Sequence, residues 1–225
     1  MPEAYYQDKL YPLQNIVLKI IETAQSDFYL TGGTALSRCY LMHRYSDDLD
    51  FFVNAHPEFK EQCKKIISLI KQSGFDFNVS TASENFVRIM IEYAGIVLKI
   101  DFVNDVPFRY GQIKRSKIFW RVDNWRNILS NKLCALSRME PKDIVDILFI
   151  SKRYEFAWEA AFQEAREKDL WVEPIEICRI INSFDPAWLK TIKWIPSVET
   201  DRLVDLIQPL HNDIFYGRAN SLAAK

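Results

Sequence analysis

The sequence predicts an α+β protein in which a small mixed sheet with helices, residues 1–108, is followed by a mainly helical lobe, residues 109–225. Three observations carry this expectation. Up to Pro107, short runs of alternating apolar residues are interleaved with helical patterns; from about Asn124 onward nearly every stretch repeats its apolar residues at three- and four-residue steps. The 225 residues, 48% hydrophobic and 14% aromatic, supply enough apolar surface for a core without disulfides or a structural metal.

From Lys9 to Ala24 the apolar positions Leu10, Leu13, Val17, Ile20, Ile21 and Ala24 describe an amphipathic helix. Phe28 to Thr31 reads as a short strand, which Gly32-Gly33 ends. Thr34 is placed to cap a second helix over about 35–44. Asp48 to Val53 is a strand with Leu49, Phe51 and Val53 on one face and Asp48, Asp50 and Phe52 on the other. A third helix is predicted over about 58–73, with Phe59, Cys63, Ile66, Ile67 and Ile70 on one stripe and Gly74 beyond its end. Strands follow at about 75–80, 86–93 and 96–103, the last two joined by Ala94-Gly95 in hairpin fashion. The later helical patterns break near Pro141, Pro174, Pro186, Pro196 and Pro209.

Lys and Arg total 29 against 30 Asp and Glu, so no basic field covers the molecule and nucleic-acid contact has to come from local clustering. One such cluster is Arg109 to Arg121, with five basic residues, no acid, and the rings of Tyr110, Phe119 and Trp120. That composition suits a single-strand binding surface or a solvated loop with buried aromatics. The four cysteines are widely spaced with no CxxC and no Cys/His cluster, which points to reduced thiols and away from zinc. The N-terminus lacks a basic start followed by an apolar run, and no stretch reaches the ~20 apolar residues of a membrane span, so no membrane partner and a cytoplasmic location are expected.

The chemistry is carried by carboxylates. Transfer assisted by two metal ions needs hard oxygen ligands on a rigid frame, with the ions about 3.5–4 Å apart. Asp48 and Asp50, two apart on a strand, meet that need. Asp101 lies in the alternating strand Lys99-Ile100-Asp101-Phe102-Val103, so all three acids converge if the two strands are neighbours. Gly32-Gly33 ahead of a helix is a natural phosphate cradle, because backbone N–H groups are accessible there.

With these motifs the chain resembles the AbiEii/AbiGii abortive-infection nucleotidyltransferase toxins, relatives of the mycobacterial MenT toxins. The residues that carry the resemblance are LTGGTAL at 30–36, HRYSDDLDFF at 43–52, KIDF at 99–102 and NKLCALSRMEPKDIVDI at 131–147. The resemblance implies a DNA polymerase beta-like nucleotidyltransferase lobe followed by a helical lobe. It implies a nucleoside triphosphate as substrate, two Mg2+ ions with Mn2+ as an alternative, RNA as acceptor, notably the tRNA 3' end, and a cognate antitoxin. Carried over by position, Gly32, Gly33 and Thr34 would hold the triphosphate, Asp48 and Asp50 the metals, and Asp101 would complete the acidic set and take the proton of the attacking hydroxyl. Lys132 would meet the triphosphate, with Asp143 or Asp146 as the last acidic motif. Gly33 stands where related nucleotidyltransferases often have serine, and the portion after about Tyr154 matches no motif.

Several residues keep two readings. Lys132 on an amphipathic helix is also what a solvated face looks like, and Asp143, in the first turn after Pro141, also suits helix-dipole compensation. Arg44 and Ser46 either contact the nucleotide or order the loop, and His43 either joins the site or serves as a cap or dipole partner at a helix end, and it stays outside the catalytic set. A small-molecule or protein acceptor is the alternative within the fold, and a noncatalytic RNA- or protein-binding module the alternative outside it.

Overall fold

The computed structural model describes residues 2–223. The chain forms two compact units, one of residues up to Cys39 together with Tyr45–Asn124, the other of Tyr40–Arg44 together with the chain from Trp125 onward. The sequence placed its boundary at 108/109; the compact units divide at Asn124/Trp125, and a five-residue segment from the first half is grouped with the second.

In the first unit a short helix α1 (Pro2–Tyr5) and a π-helical stretch (Tyr6–Leu10) lead into α2 (Tyr11–Thr23). Helix thus begins before Lys9, because Tyr6 extends the buried stripe of Leu10, Leu13, Val17 and Ile21 by one turn. Then come β1 (Tyr29–Thr31), α3 (Gly32–Leu36) running on as a π-helical turn (Ser37–Leu41), β2 (Leu49–Asn54), α4 (Phe59–Gln72), β3 (Asp76–Ala82), β4 (Phe86–Tyr93) and β5 (Ile96–Asp105). The strands form one mixed sheet in the order β1-β2-β5-β4-β3, in which only β2 and β5 run parallel.

Alternation decides which face is core. Leu49, Phe51 and Val53 of β2 and Leu98, Ile100 and Phe102 of β5 are buried, along with Val87, Ile89 and Ile91 of β4. Phe51 stacks on Phe102 at 5.3 Å, Phe28 meets Phe59 and Phe102 edge-on, and α2 packs with α4. Each such fully buried ring contributes about 1.5–3 kcal/mol of transfer free energy. The polar residues of β2 and β5 therefore share the opposite, half-exposed face. The β4–β5 turn has Ala94 at φ 49° and Gly95 at φ 75°, the two left-handed residues a tight hairpin twist demands.

Thr34 does not cap a helix. α3 starts at Gly32 with Thr31 as its extended N-terminal neighbour and no side-chain cap, so both glycines lie inside the first turn. The two threonine hydroxyls are committed elsewhere: Thr31 donates to Asp123 at 2.7 Å, and Thr34 to the carbonyl of Asp48.

In the second unit α5 (Trp125–Ala135) packs with α6 (Pro141–Arg153) and α7 (Trp158–Lys168), and α8 (Pro174–Asn182) with α9 (Ile207–Phe215). Short 3-10 turns occupy Leu136–Arg138, Pro186–Thr191 and Val204–Leu206. Pro141 and Pro174 open their helices, and Pro209 lies in the first turn of α9, where a missing N–H breaks no helical bond. Ile128, Leu133, Ile144, Ile147, Trp158 and Ile177 fill the core of this unit.

Candidate active site

The polar face of the first unit's sheet carries a transverse row of charged and hydroxyl side chains. Thr31 of β1, Asp50 of β2, Asp101 of β5 and Arg88 of β4 are register partners across four adjacent strands. Partners in register point the same way, so the Asp50 and Asp101 carboxylates project from neighbouring strands on one face. Asp48, two residues ahead of Asp50, lies on the same side of the chain, next to Lys99.

Both ends of this acidic set are met by cations. Lys99 Nζ lies 2.7 Å from Asp48 Oδ2, and Arg88 grips Asp101 through Nε and Nη2 at 2.7 and 2.8 Å. The hydrogen bond to Asp101 raises the Arg88 pKa, burial opposes it, and the charges of Asp101, Asp48 and Asp50 add to the rise. Burial alone would lower Lys99; its hydrogen bond and charge contact with Asp48, then Asp101 and Asp50, outweigh that and leave it raised. Each cation is thus held by the field of all three carboxylates, which is the electrostatic signature of their convergence.

Gly32 has two reasons to be glycine. Its φ is +67°, and a Cβ added there would collide with the Asp50 carboxylate. The glycine turn and the acidic row are therefore fitted to each other. The loop that delivers Asp48 is tied down from several sides: Gln14 Nε2 donates to the Ser46 and Asp47 carbonyls at 3.3 and 2.9 Å, the Ser46 N–H donates to the Tyr11 hydroxyl at 3.4 Å, and Tyr6 donates to the Asp47 carboxylate at 2.5 Å. Burial, reinforced by Asp47, raises the Tyr6 phenol and keeps it a donor. Thr34, wholly buried, completes the clamp through the Asp48 carbonyl.

Asp50 and Asp101 on paired strands, with Asp48 in the loop just before β2, where the sequence had placed it inside the strand, are the hard-oxygen donor set that Mg2+ or Mn2+ prefers, so the residues suit such an ion by chemistry. Among the described residues no trio of acidic, histidine or cysteine side chains is already gathered into a metal cage, and Asp48 and Asp101 each face a basic side chain instead.

The second unit holds a separate buried charge centre. Lys132 of α5 places Nζ 2.6 Å from both Asp143 Oδ1 and Asp146 Oδ2 of α6. Arg44 binds Asp146 through Nε and Nη2, each at 2.7 Å, His43 Nε2 is 2.9 Å from Asp146 Oδ1, and Arg138 reaches Asp143 at 2.8 Å. Both carboxylates and His43 are fully buried. Burial would raise the Asp146 carboxyl, but Arg44 and Lys132 hold it well below the usual range; burial would lower Lys132, but Asp146 and Asp143 keep it raised. Burial lowers the His43 pKa despite its contact with Asp146, so the ring is neutral. Its Nε2 then carries the proton given to Asp146, and its Nδ1 is left buried without a partner.

The structure thus gathers Gly32, Asp48, Asp50 and Asp101 in one unit, with Gly33 buried in the first turn of α3, and Lys132, Asp143 and Asp146 in the other. Sequence reasoning missed Arg88, Gln14 and the part His43 plays. The alternation of β4 puts Arg88 on the polar face, which is a signal for it; nothing local announces a glutamine or histidine whose partner is 33 or 103 residues away.

The family described as "Nucleotidyl transferase AbiEii toxin, Type IV TA system" matches residues 20–214 of the chain. Among solved structures, the chain is similar to a Helicobacter pylori protein assigned as a nucleotidyltransferase, with 18% identity, a TM-score of 0.59, and 90% of this chain and 93% of that one covered. It is also similar to JHP933 from Helicobacter pylori, with 20% identity, a TM-score of 0.55, and 94% and 93% covered. Likeness at this level of identity speaks for the fold. The comparison with curated proteins finds no match. Among the described residues no helix is long and apolar enough to cross a membrane.

Proposed function

This chain belongs to the AbiEii nucleotidyl transferase toxin family, and from that premise we propose that it moves a nucleoside monophosphate from an NTP to an acceptor hydroxyl of RNA, the tRNA 3' end first among candidates, with two divalent ions on Asp48, Asp50 and Asp101. The observation that carries this reading is the register of Asp50 with Asp101 on parallel neighbouring strands, with Asp48 beside them and Gly32 fitted against Asp50.

Bound there, Mg2+ or Mn2+ would supply charge neutralisation for the α-phosphate and the departing pyrophosphate. The chain's residues do the rest. The backbone N–H groups of Gly32 and Gly33, at the start of α3, receive phosphate oxygens. Asp101 takes the proton of the acceptor hydroxyl as its oxygen bonds to the α-phosphorus and the bond from that phosphorus to the bridging oxygen breaks. Thr34 and Ser46 act on the loop that aims Asp48, since the Thr34 hydroxyl and the Ser46 backbone are committed to it. Lys132 and Asp146 lie at the core of the second unit's charge centre, where Lys132 is paired with Asp143 and Asp146, and Asp146 also with Arg44. The type IV toxin–antitoxin assignment of the family supports a cognate antitoxin as the chain's genetic partner.

The test is to incubate the protein with Mg2+, total RNA and each α-labelled NTP in turn, beside Asp50→Ala. Label in RNA that Asp50→Ala abolishes is the expected result. Label retained by the variant removes the metal-site assignment, and label absent with every NTP removes RNA as acceptor.

A further inference from the structure

We propose that Lys99 and Arg88 are placeholders for the divalent ions: each neutralises one end of the acidic set in the metal-free protein, and each lets go of its carboxylate when the set takes a metal. This rests on the reading of Asp48, Asp50 and Asp101 as metal ligands.

Carboxylates gathered this closely disfavour one another's ionised form, and positive charge beside them offsets that. Here it comes from the sheet itself. Lys99 lies two residues before Asp101 on β5 and Arg88 is the register partner of Asp101 on β4, so backbone pairing holds both cations where an ion would otherwise be needed.

The two contacts differ in strength. Lys99 meets Asp48 through one oxygen, and the two side chains are 31% and 30% exposed, the setting in which an ion pair is weak and easily exchanged. Arg88 holds both oxygens of Asp101, whose side chain is only 10% exposed, a charge-assisted fork that is harder to open. Lys99 therefore yields first and Arg88 second, so Asp48 is released before Asp101. Once released, both side chains remain on the polar face as cations beside the acids, ready for a polyphosphate.

The proposal is tested on the full chain by following the Arg Nε–H and Lys Nζ resonances and metal binding together. In the metal-free protein the Arg88 Nε–H, assigned by its loss in Arg88→Lys, is expected to be protected from solvent exchange. Titration with Mg2+ is expected to remove that protection late, after an earlier change at Lys99, and Lys99→Met is expected to bind Mn2+ at least about threefold more tightly than the wild type, the scale of one partly exposed ion pair. Metal binding that Asp50→Asn weakens, while the Arg88 Nε–H stays protected at saturation and Lys99→Met is unchanged, overturns the placeholder role alone. If the wild type binds no Mg2+ or Mn2+, or Asp50→Asn binds as well as the wild type, the underlying metal-site reading falls with it.

Discussion

Replacing Asp146 by asparagine keeps the shape of the α6 side chain and removes its charge, and the structure sets the expected cost. Asp146 is fully buried and accepts from Arg44 twice, from Lys132 and from His43. With asparagine there, Arg44 loses its forked partner, and Lys132 retains Asp143 alone. Breaking a buried ion pair from one side costs about 3–5 kcal/mol, because the charge left behind has already lost its water. Against a total stability of about 5–15 kcal/mol this is a large fraction, and at roughly 2–4 °C per kcal/mol it lowers Tm by about 6–20 °C. Five of the six tryptophans, Trp125, Trp158, Trp171, Trp188 and Trp194, belong to the unit that holds Asp146, so tryptophan fluorescence during urea and thermal unfolding reports on the right place. A loss below about 1 kcal/mol would refute the reasoning, since that is the worth of an exposed pair. A double-mutant cycle with Lys132→Met separates the Lys132–Asp146 contact from the rest of the cluster, with an expected coupling of about 1–3 kcal/mol.

Other expectations follow from single observations. Gly32→Ala puts a Cβ against the Asp50 carboxylate at a left-handed φ, so it should displace Asp50, lower stability by about 1–2 kcal/mol or more, and abolish nucleotidyl transfer; full activity in the assay above would rule out the fitted turn. The His43 pKa is lowered in the folded protein, so its contribution is present above the unfolded value of 6.5 and is lost as pH falls through the folded one. Urea midpoints measured from pH 7.5 to 5 should fall in the wild type and fall less in His43→Gln. Asp146 is lowered too, so its contribution holds above 3.8 and disappears only as pH drops through the folded value; the acid limb of the same curve should be shallower in Asp146→Asn. Ala94→Asn makes an Asn-Gly turn at an exposed site with φ 49° and should raise stability by roughly 1 kcal/mol, read as a higher urea midpoint with an unchanged slope.

Much of the fold was legible in local pattern. Period-two alternation identified the strands around Phe51, Ile89 and Phe102, and three- and four-residue steps identified α2 and α4, because burial of one face imposes its period on neighbouring residues. Helix ends were read less well. A start at Gly32 rather than after Thr34 follows from where two threonine hydroxyls find acceptors, on Asp48 and on Asp123, and neither acceptor is a helical neighbour.

What the sequence by itself determined is which way each side chain faces within its own element: Asp50 opposite Phe51, Asp101 opposite Phe102, and Asp143 with Asp146 one helical turn apart; Asp48, expected in the same strand as Asp50, lies in the loop just before it. Only the tertiary structure decided which elements meet. That β2 lies beside β5 with Asp50 level with Asp101 depends on the path through α4, β3 and β4 between them. The attachment of Arg44 to Asp146, and of Lys99 and Arg88 to the acidic row, depends on charges seeking partners wherever burial has brought them. Facing is set by a residue's nearest neighbours through backbone geometry, whereas pairing across 51 or 102 residues is set by the free energy of the whole packed unit, which no short stretch of sequence contains.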